Sequence, residues 1–307
     1  MTSLTGRVSI TTLKPVSIST VRKIMEKRQL HFMNSHLRRI YKVTNRYTGM
    51  GILSFLLIFF VYGCGQTGEQ PVATLNETGD TLPRYNAEKS TPPYDDLQFR
   101  SVLRHSKLQY PGSQAIVNYG KFNGYKAPWF YSEKGILYFS IDKTKDISTM
   151  RSELRDRTVW KTSSATPRIW SATLKCFKPQ KGVNSYTWMQ IHGTSDTYNY
   201  PLLRLMWVRD YHGISNHLWA IRIVSDAYSG SRKYDWIDLG KNPDGYFDAN
   251  VRVANNRLTL SVNGTKILRY DVEYWQGVAN FFKAGVYINR HDDFGKATVA
   301  FKSLMFD

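Results

Sequence analysis

Residues 246–270, YFDANVRVANNRLTLSVNGTKILRY, decide the fold class. From Tyr246 to Val253, Leu258 to Val262 and Lys266 to Tyr270, apolar and polar residues alternate. That is the period of a strand with one buried face. Between the runs stand Asn255-Asn256 and Asn263-Gly264. Tight hairpin turns need positive φ at such positions, which Asn and Gly tolerate best. The stretch therefore predicts a local antiparallel meander.

The same texture extends toward both ends. Further strand candidates are Gly135–Ile141, Thr149–Arg155, Ile169–Phe177, Tyr186–His192, Leu202–Val208, Leu218–Val224, Phe281–Ile288 and Thr298–Phe306. No helix-length amphipathic stretch competes with them. So many short strands without alternating helices predict an all-β fold of two packed antiparallel sheets, a jelly roll or related sandwich.

The N-terminal part reads differently. The apolar run Gly51–Gly63 (GILSFLLIFFVYG) is shorter than the roughly 20 residues a spanning helix needs and matches the apolar region of an export signal. Val61-Tyr62-Gly63-Cys64 resembles a bacterial lipobox, which makes Cys64 the expected lipidation site. Arg38, Arg39, Lys42 and Arg46 supply the positive charge ahead of the run, and Met33 is the candidate start. Residues 65–96 are rich in Gly, Thr, Glu, Asn and Pro without sustained periodicity, as a flexible tether would be. The expected organisation is a signal region over 1–63, lipidated Cys64 and tether over 64–96, and one β-jelly-roll domain over 97–307. Export, with a lipid anchor on the outer membrane or cell surface, follows as an expectation.

Loss of residues 1–63 removes ten Lys and Arg and one Glu, leaving +9 of the +18 net charge. A basic exported protein is expected to meet an acidic extracellular polymer rather than nucleic acid. The membrane is reached through the lipid alone, and a monomer is expected. With Cys64 lipidated, Cys176 has no disulfide partner, and its place in an alternating run makes it a buried apolar residue.

Three segments put polar residues on one strand face each. Arg151, Glu153 and Arg155 share a side of RSELR; Gln190 and His192 share a side of WMQIH; Lys283, Gly285, Tyr287 and Asn289 share a side of FFKAGVYIN. Apolar residues take the opposite sides. Three such faces on one sheet would line a groove.

RSELR, QIH and FKAGVY, in that order, resemble the signature segments of the alginate lyases of polysaccharide lyase family 7, over about residues 100–307. The third segment departs from the usual pattern: Phe281 replaces a Tyr, and Ile288-Asn289-Arg290 follows Tyr287. The resemblance implies a concanavalin-like sandwich with a substrate groove on its concave sheet, and cleavage of alginate by β-elimination. It implies that His192 is the base for guluronate and Tyr287 the acid, with Tyr287 serving both roles for mannuronate. Ile191 between Gln190 and His192 is associated with accepting guluronate-containing blocks, so these are the expected preference.

The residue types suit that chemistry independently. The C5 proton beside a uronate carboxylate is too weakly acidic to remove unless the carboxylate's charge is neutralised, which cationic and amide donors achieve in the transition state. Arg155 and Gln190 are the candidates for holding the carboxylate, with Arg151 as a further contact. Glu153, between two arginines, is expected to orient them by ion pairing. Lys283 is assigned to another uronate or to charge neutralisation, and Asn289 to substrate binding. His192 and Tyr287 remain for proton transfer.

Tyr198, Tyr200, Trp207 and Tyr211 are candidates for sugar stacking or for buried packing, and Arg290-His291-Asp292-Asp293 reads as a polar loop. His212 and His217 lack partners at metal-ligand spacing, so neither metal nor cofactor is expected. A glycoside hydrolase would need a carboxylate pair such as a Glu-x-Asp-x-x-Glu strand, which is absent. A carbohydrate-binding module would not need His192 and Tyr287 together. A lyase acting on another polyuronate, such as glucuronan or ulvan, shares the same needs and stays open.

Overall fold

The computed structural model describes residues 81–194, 199–224 and 232–307. Strands follow in chain order as β1 (Ser106–Gln109), β2 (Ala115–Val117), β3 (Phe130–Glu133), β4 (Ile136–Lys143), β5 (Met150–Asp156), β6 (Trp160–Lys161), β7 (Arg168–Cys176) and β8 (Ser185–Gly193). Then come β9 (Pro201–Tyr211), β10 (Ile214–Ile223), β11 (Tyr234–Lys241), β12 (Phe247–Ala254), β13 (Arg257–Val262), β14 (Thr265–Asp271), β15 (Ala279–Ile288) and β16 (Gly295–Phe306). All eleven strand candidates are present. The strands left out of the sequence reading are β1, β2, β3, β6 and β11, mostly short or at sheet edges.

The strands form two antiparallel sheets, as the alternation predicted, in a jelly-roll sandwich. One runs β11-β10-β9-β8-β15-β5-β1-β2, with β6 paired to β15; the other runs β14-β13-β12-β7-β16-β4-β3. The meander is β12-β13-β14. Its register leaves Asn255-Asn256 and Asn263-Gly264 as two-residue loops with φ of 49°, 57°, 48° and 75°. Positive φ at both loop positions matches the twist of the strands they join.

Inner faces of both sheets meet in one aromatic core. Trp170 and Trp188 lie 5.8 Å apart between ring centroids, Phe247 meets Trp188 edge-on, and Phe139 bridges Phe130 and Phe301. Each fully buried ring of this size contributes roughly 4–6 kcal/mol before the entropy of ordering is subtracted. Cys176 belongs to this core, where burial pushes its thiol up and removes it from nucleophilic chemistry.

One expectation is corrected. A short helix, α1 (Leu97–Arg104), precedes the strands and buries Phe99, Val102 and Leu103 at helical spacing. Eight residues are too few for that period to stand out in sequence. Ahead of Leu97, Thr91 and Ser132 exchange backbone hydrogen bonds of 2.8 and 3.0 Å at the edge of β3. Lys126 Nζ holds the carbonyls of Ala87 and Ser90, and Lys296 Nζ that of Pro83. Backbone groups of residues 83–91, rather than apolar side chains, make these attachments. Cys64 and the signal region lie outside the described residues.

Candidate active site

The outer face of the nine-stranded sheet carries the polar residues of all three segments. A bulge sets the phase of β8: Thr187 stands opposite Met206 and Met189 opposite Leu205, so Trp188 is an extra residue. Trp188 and Met189 both join the core, and Gln190 and His192 turn outward. Strand register then draws one row across seven strands: Lys107, Arg155, Lys283, Gln190, Arg204, Ile221 and Trp236. Directly opposed residues share a face, so the row is a surface feature of one sheet. Arg151 stands opposite Tyr287, and Phe281 opposite His192.

Glu153 is the centre of the site, with no exposed surface. Gln190 Nε2 donates to its Oε1 at 2.5 Å, Lys283 Nζ to its Oε2 at 2.5 Å, and Arg151 to Oε2 at 3.2 Å. Burial alone would push this carboxyl up, but Lys283, Arg151 and the donated hydrogen bonds outweigh it and hold it below the usual range. The ionised Glu153 is thus a fixed anchor, not a base. It was expected to orient both arginines; in fact it holds Arg151, Lys283 and Gln190, and Arg155 packs elsewhere. Two cations, Arg151 and Lys283, meet this one carboxylate, and Arg155 acts on Lys283 from nearby. The ammonium of Lys283 answers for the imbalance: burial, with Arg151 and Arg155 nearby, brings it down to about 8 despite Glu153.

Above this floor the aromatic ring of Phe281 is sandwiched. The Arg155 guanidinium lies 3.9 Å from its centroid, and the His192 ring stacks on it at 5.4 Å and 19°. His192 Nδ1 donates to the carbonyl of Gly193 at 2.8 Å, which leaves Nε2 as the acceptor. Burial, together with Lys283 and Arg151, pulls the imidazole down to about 4, so the ring is neutral at neutral pH. Tyr287 is partly buried on the other side of the floor, with the Arg151 guanidinium 4.0 Å from its ring centroid.

The structure thus brings together Arg151, Glu153, Arg155, Gln190, His192, Lys283 and Tyr287. Asn289 lies just past β15, and no hydrogen bond ties it to this cluster; its Oδ1 is buried without a partner among the described residues. Trp207 does not face the site. It is fully buried between the sheets, stacked on Tyr186, because its position in β9 has inward parity. Tyr211 stacks on Trp236 at 4.3 Å, beside Trp219, on the outer face. Tyr200 packs against the core under Arg232, and Tyr198 lies outside the described residues. In the supposed polar loop, Asp293 is buried and accepts from the backbone of Asn184 and Ser185, fixing the start of β8.

Sequence reasoning did not place Phe281 between Arg155 and His192, nor Arg204 opposite Gln190. The signal for Arg204 was present: a lone cation inside the apolar run Leu202–Val208.

An ionised floor that keeps more cations than carboxylates, under a neutral imidazole and a phenol, is made for a polymer bearing carboxylates. On the open face of a jelly roll, it defines a polysaccharide lyase. The Alginate lyase family matches residues 102–307. An alginate lyase of a Photobacterium species is 33% identical over 232 residues, covering 64% of this chain and 81% of that protein. The chain therefore belongs to the alginate lyases of polysaccharide lyase family 7. Solved structures agree on the fold. Alginate lyase AlyC3, in complex with dimannuronate, superposes with a TM-score of 0.65 at 23% identity, over 74% of this chain and 98% of its own. Alginate lyase A1-II′, a family 7 member, gives 0.56 at 21% identity, over 71% and 98%.

Proposed function

We propose that this enzyme cleaves alginate by β-elimination, favouring guluronate-containing blocks and releasing unsaturated oligouronates. The observation that carries the reading is the surplus of cations around buried Glu153, directly beneath a neutral His192. An arriving uronate carboxylate supplies the missing negative charge and loses its own hold on the C5 proton.

Arg155 and the second N–H of Gln190 take that carboxylate; Arg151 makes a further contact. Lys283 is too buried to reach substrate and neutralises charge from below. His192 Nε2 removes the C5 proton of guluronate, the C4–C5 double bond forms, and the C4–O4 bond breaks as the Tyr287 hydroxyl protonates O4. On mannuronate, whose C5 proton lies on the other side, Tyr287 serves both roles. Ile191 is in the core, so its effect on block choice reaches the groove through the placement of Gln190 and His192.

The test is ultraviolet absorbance from the new double bond, with polyguluronate, polymannuronate, glucuronan and ulvan supplied separately. A rise fastest on polyguluronate is expected; a rise confined to glucuronan or ulvan would keep the mechanism and overturn the substrate. His192→Ala and Tyr287→Phe should each lower turnover by about 10²–10⁴, and full activity in both would refute the proton-transfer roles.

Export with lipidation at Cys64 is part of the same proposal, supported by the apolar run and lipobox. Fatty-acid labelling that persists in Cys64→Ser would overturn it.

A further inference from the structure

Arg204 stands directly opposite Gln190, one strand further along the row that crosses the site. Its guanidinium is partly buried, yet among the described residues no carboxylate and no hydrogen-bond acceptor meets it. The neighbouring arginines each have a partner, although among the described residues the Nε of Arg222 is left without one. Arg209, on the same strand, donates to the carbonyls of Val183 and Gln180, and Arg222, on the next, pairs with Asp235 at 3.1 Å. Guanidinium keeps its charge under any ordinary condition, so partial burial without a partner is a standing cost. Among the described residues, the phenols of Tyr234 and Tyr287 act on Arg204, and the larger effect on it is burial, which lowers its pKa.

The row itself indicates what Arg204 is for. From Lys107 through Arg155, Lys283 and Gln190 it is polar or cationic; beyond Arg204 come Ile221 and Trp236, which belong to the outer-face packing of Met206, Val208, Trp219 and Tyr211. Arg204 is the last cation before the face turns apolar. Adjacent strands are about 4.8 Å apart, similar to the advance of a 4-linked sugar chain per residue.

We propose that Arg204 binds the carboxylate of the uronate next to the one held by Arg155 and Gln190, on the β9 side of the cleavage point. This assignment rests on the function proposed above. It makes Arg204 a substrate-binding residue that acts before the chemical step.

Steady-state kinetics on alginate, with affinity electrophoresis in alginate-containing gels, test it on the full chain. Arg204→Met should raise KM and weaken gel retardation about tenfold, as expected for one lost charge-assisted pair, with kcat changed less than about threefold. Arg204→Lys keeps the charge but not the fork, so it should recover part of the loss; it also guards against a Met variant that folds poorly, which thermal unfolding would show. Wild-type KM and retardation in Arg204→Met would overturn the inference. So would a fall in kcat at unchanged KM, which would place the action of Arg204 on Tyr287. A wild-type chain that neither binds nor cleaves alginate would overturn the proposed function itself, a result distinct from failure of the variant alone.

Discussion

Lys283 Nζ lies 2.5 Å from Glu153 Oε2, joining strands that are neighbours in the sheet but 130 residues apart in the chain. The pair is buried, and Gln190 closes the other oxygen of the same carboxylate. Neither partner can be read as an isolated catalytic group: the acid fixes three donors, and the donors fix the acid.

Glu153→Gln should therefore be costly twice over. It leaves Lys283 as an uncompensated buried charge, which destabilises by about 3–5 kcal/mol when one partner of a buried pair is removed. Denaturant unfolding should show that loss, and lyase activity should fall at least tenfold because Gln190 and Arg151 lose their anchor. Unchanged stability would refute the anchoring role.

The pH dependence follows from two groups. His192 titrates at about 4 instead of 6.5, so the neutral base persists down to about that pH. The acid limb of kcat/KM should therefore lie near 4, not near 6.5. Stability has the same sign: between 6.5 and about 4 the unfolded chain takes up a proton that the folded imidazole refuses, so stability falls as the pH falls. At the other end Lys283 deprotonates near 8, and KM should rise above that value. Profiles of kcat/KM and KM against pH check both limbs.

Gly285 stands opposite Glu153 with φ of +144°. A Cβ there would collide with the Ser152 carbonyl and sit 2.8 Å from Glu153 Cα. Gly285→Ala should cost at least about 2 kcal/mol and displace the β5–β15 pairing that sets Glu153 between its partners. Urea unfolding and activity should fall together.

Phe281 separates Arg155 from His192 and touches both. Phe281→Leu should lower kcat/KM roughly tenfold by freeing the two side chains, since ring contacts of this kind are each worth about 1 kcal/mol. Phe281→Tyr retains the ring and should stay near wild type. Equal activity in all three proteins would show that the stack positions nothing.

Much of the fold was legible because its signals are local. Alternation with a period of two revealed the strands, and Asn255-Asn256 and Asn263-Gly264 revealed the turns between β12, β13 and β14. The helix α1 escaped because two turns of chain give too little period to read, and the attachment of Thr91 to Ser132 escaped because it is made by backbone hydrogen bonds that any residue type can make. Within the site, parity along each strand correctly grouped Arg151 with Glu153 and Arg155, Gln190 with His192, and Lys283 with Tyr287. It left Trp207 open between stacking and burial, because its side depends on a strand phase that its own aromatic type does not reveal; the structure buries it.

By itself the sequence determined the fold class, the family and the outward-facing residues, because each depends on neighbours a few positions apart. Only the tertiary structure decided which of those residues meet. Register between strands distant in the chain put Glu153 against Lys283 and Gln190, left Arg155 on Phe281, and added Arg204 to the row. Burial, which set His192 neutral and Glu153 ionised, arises only when two sheets and their neighbours exclude water together.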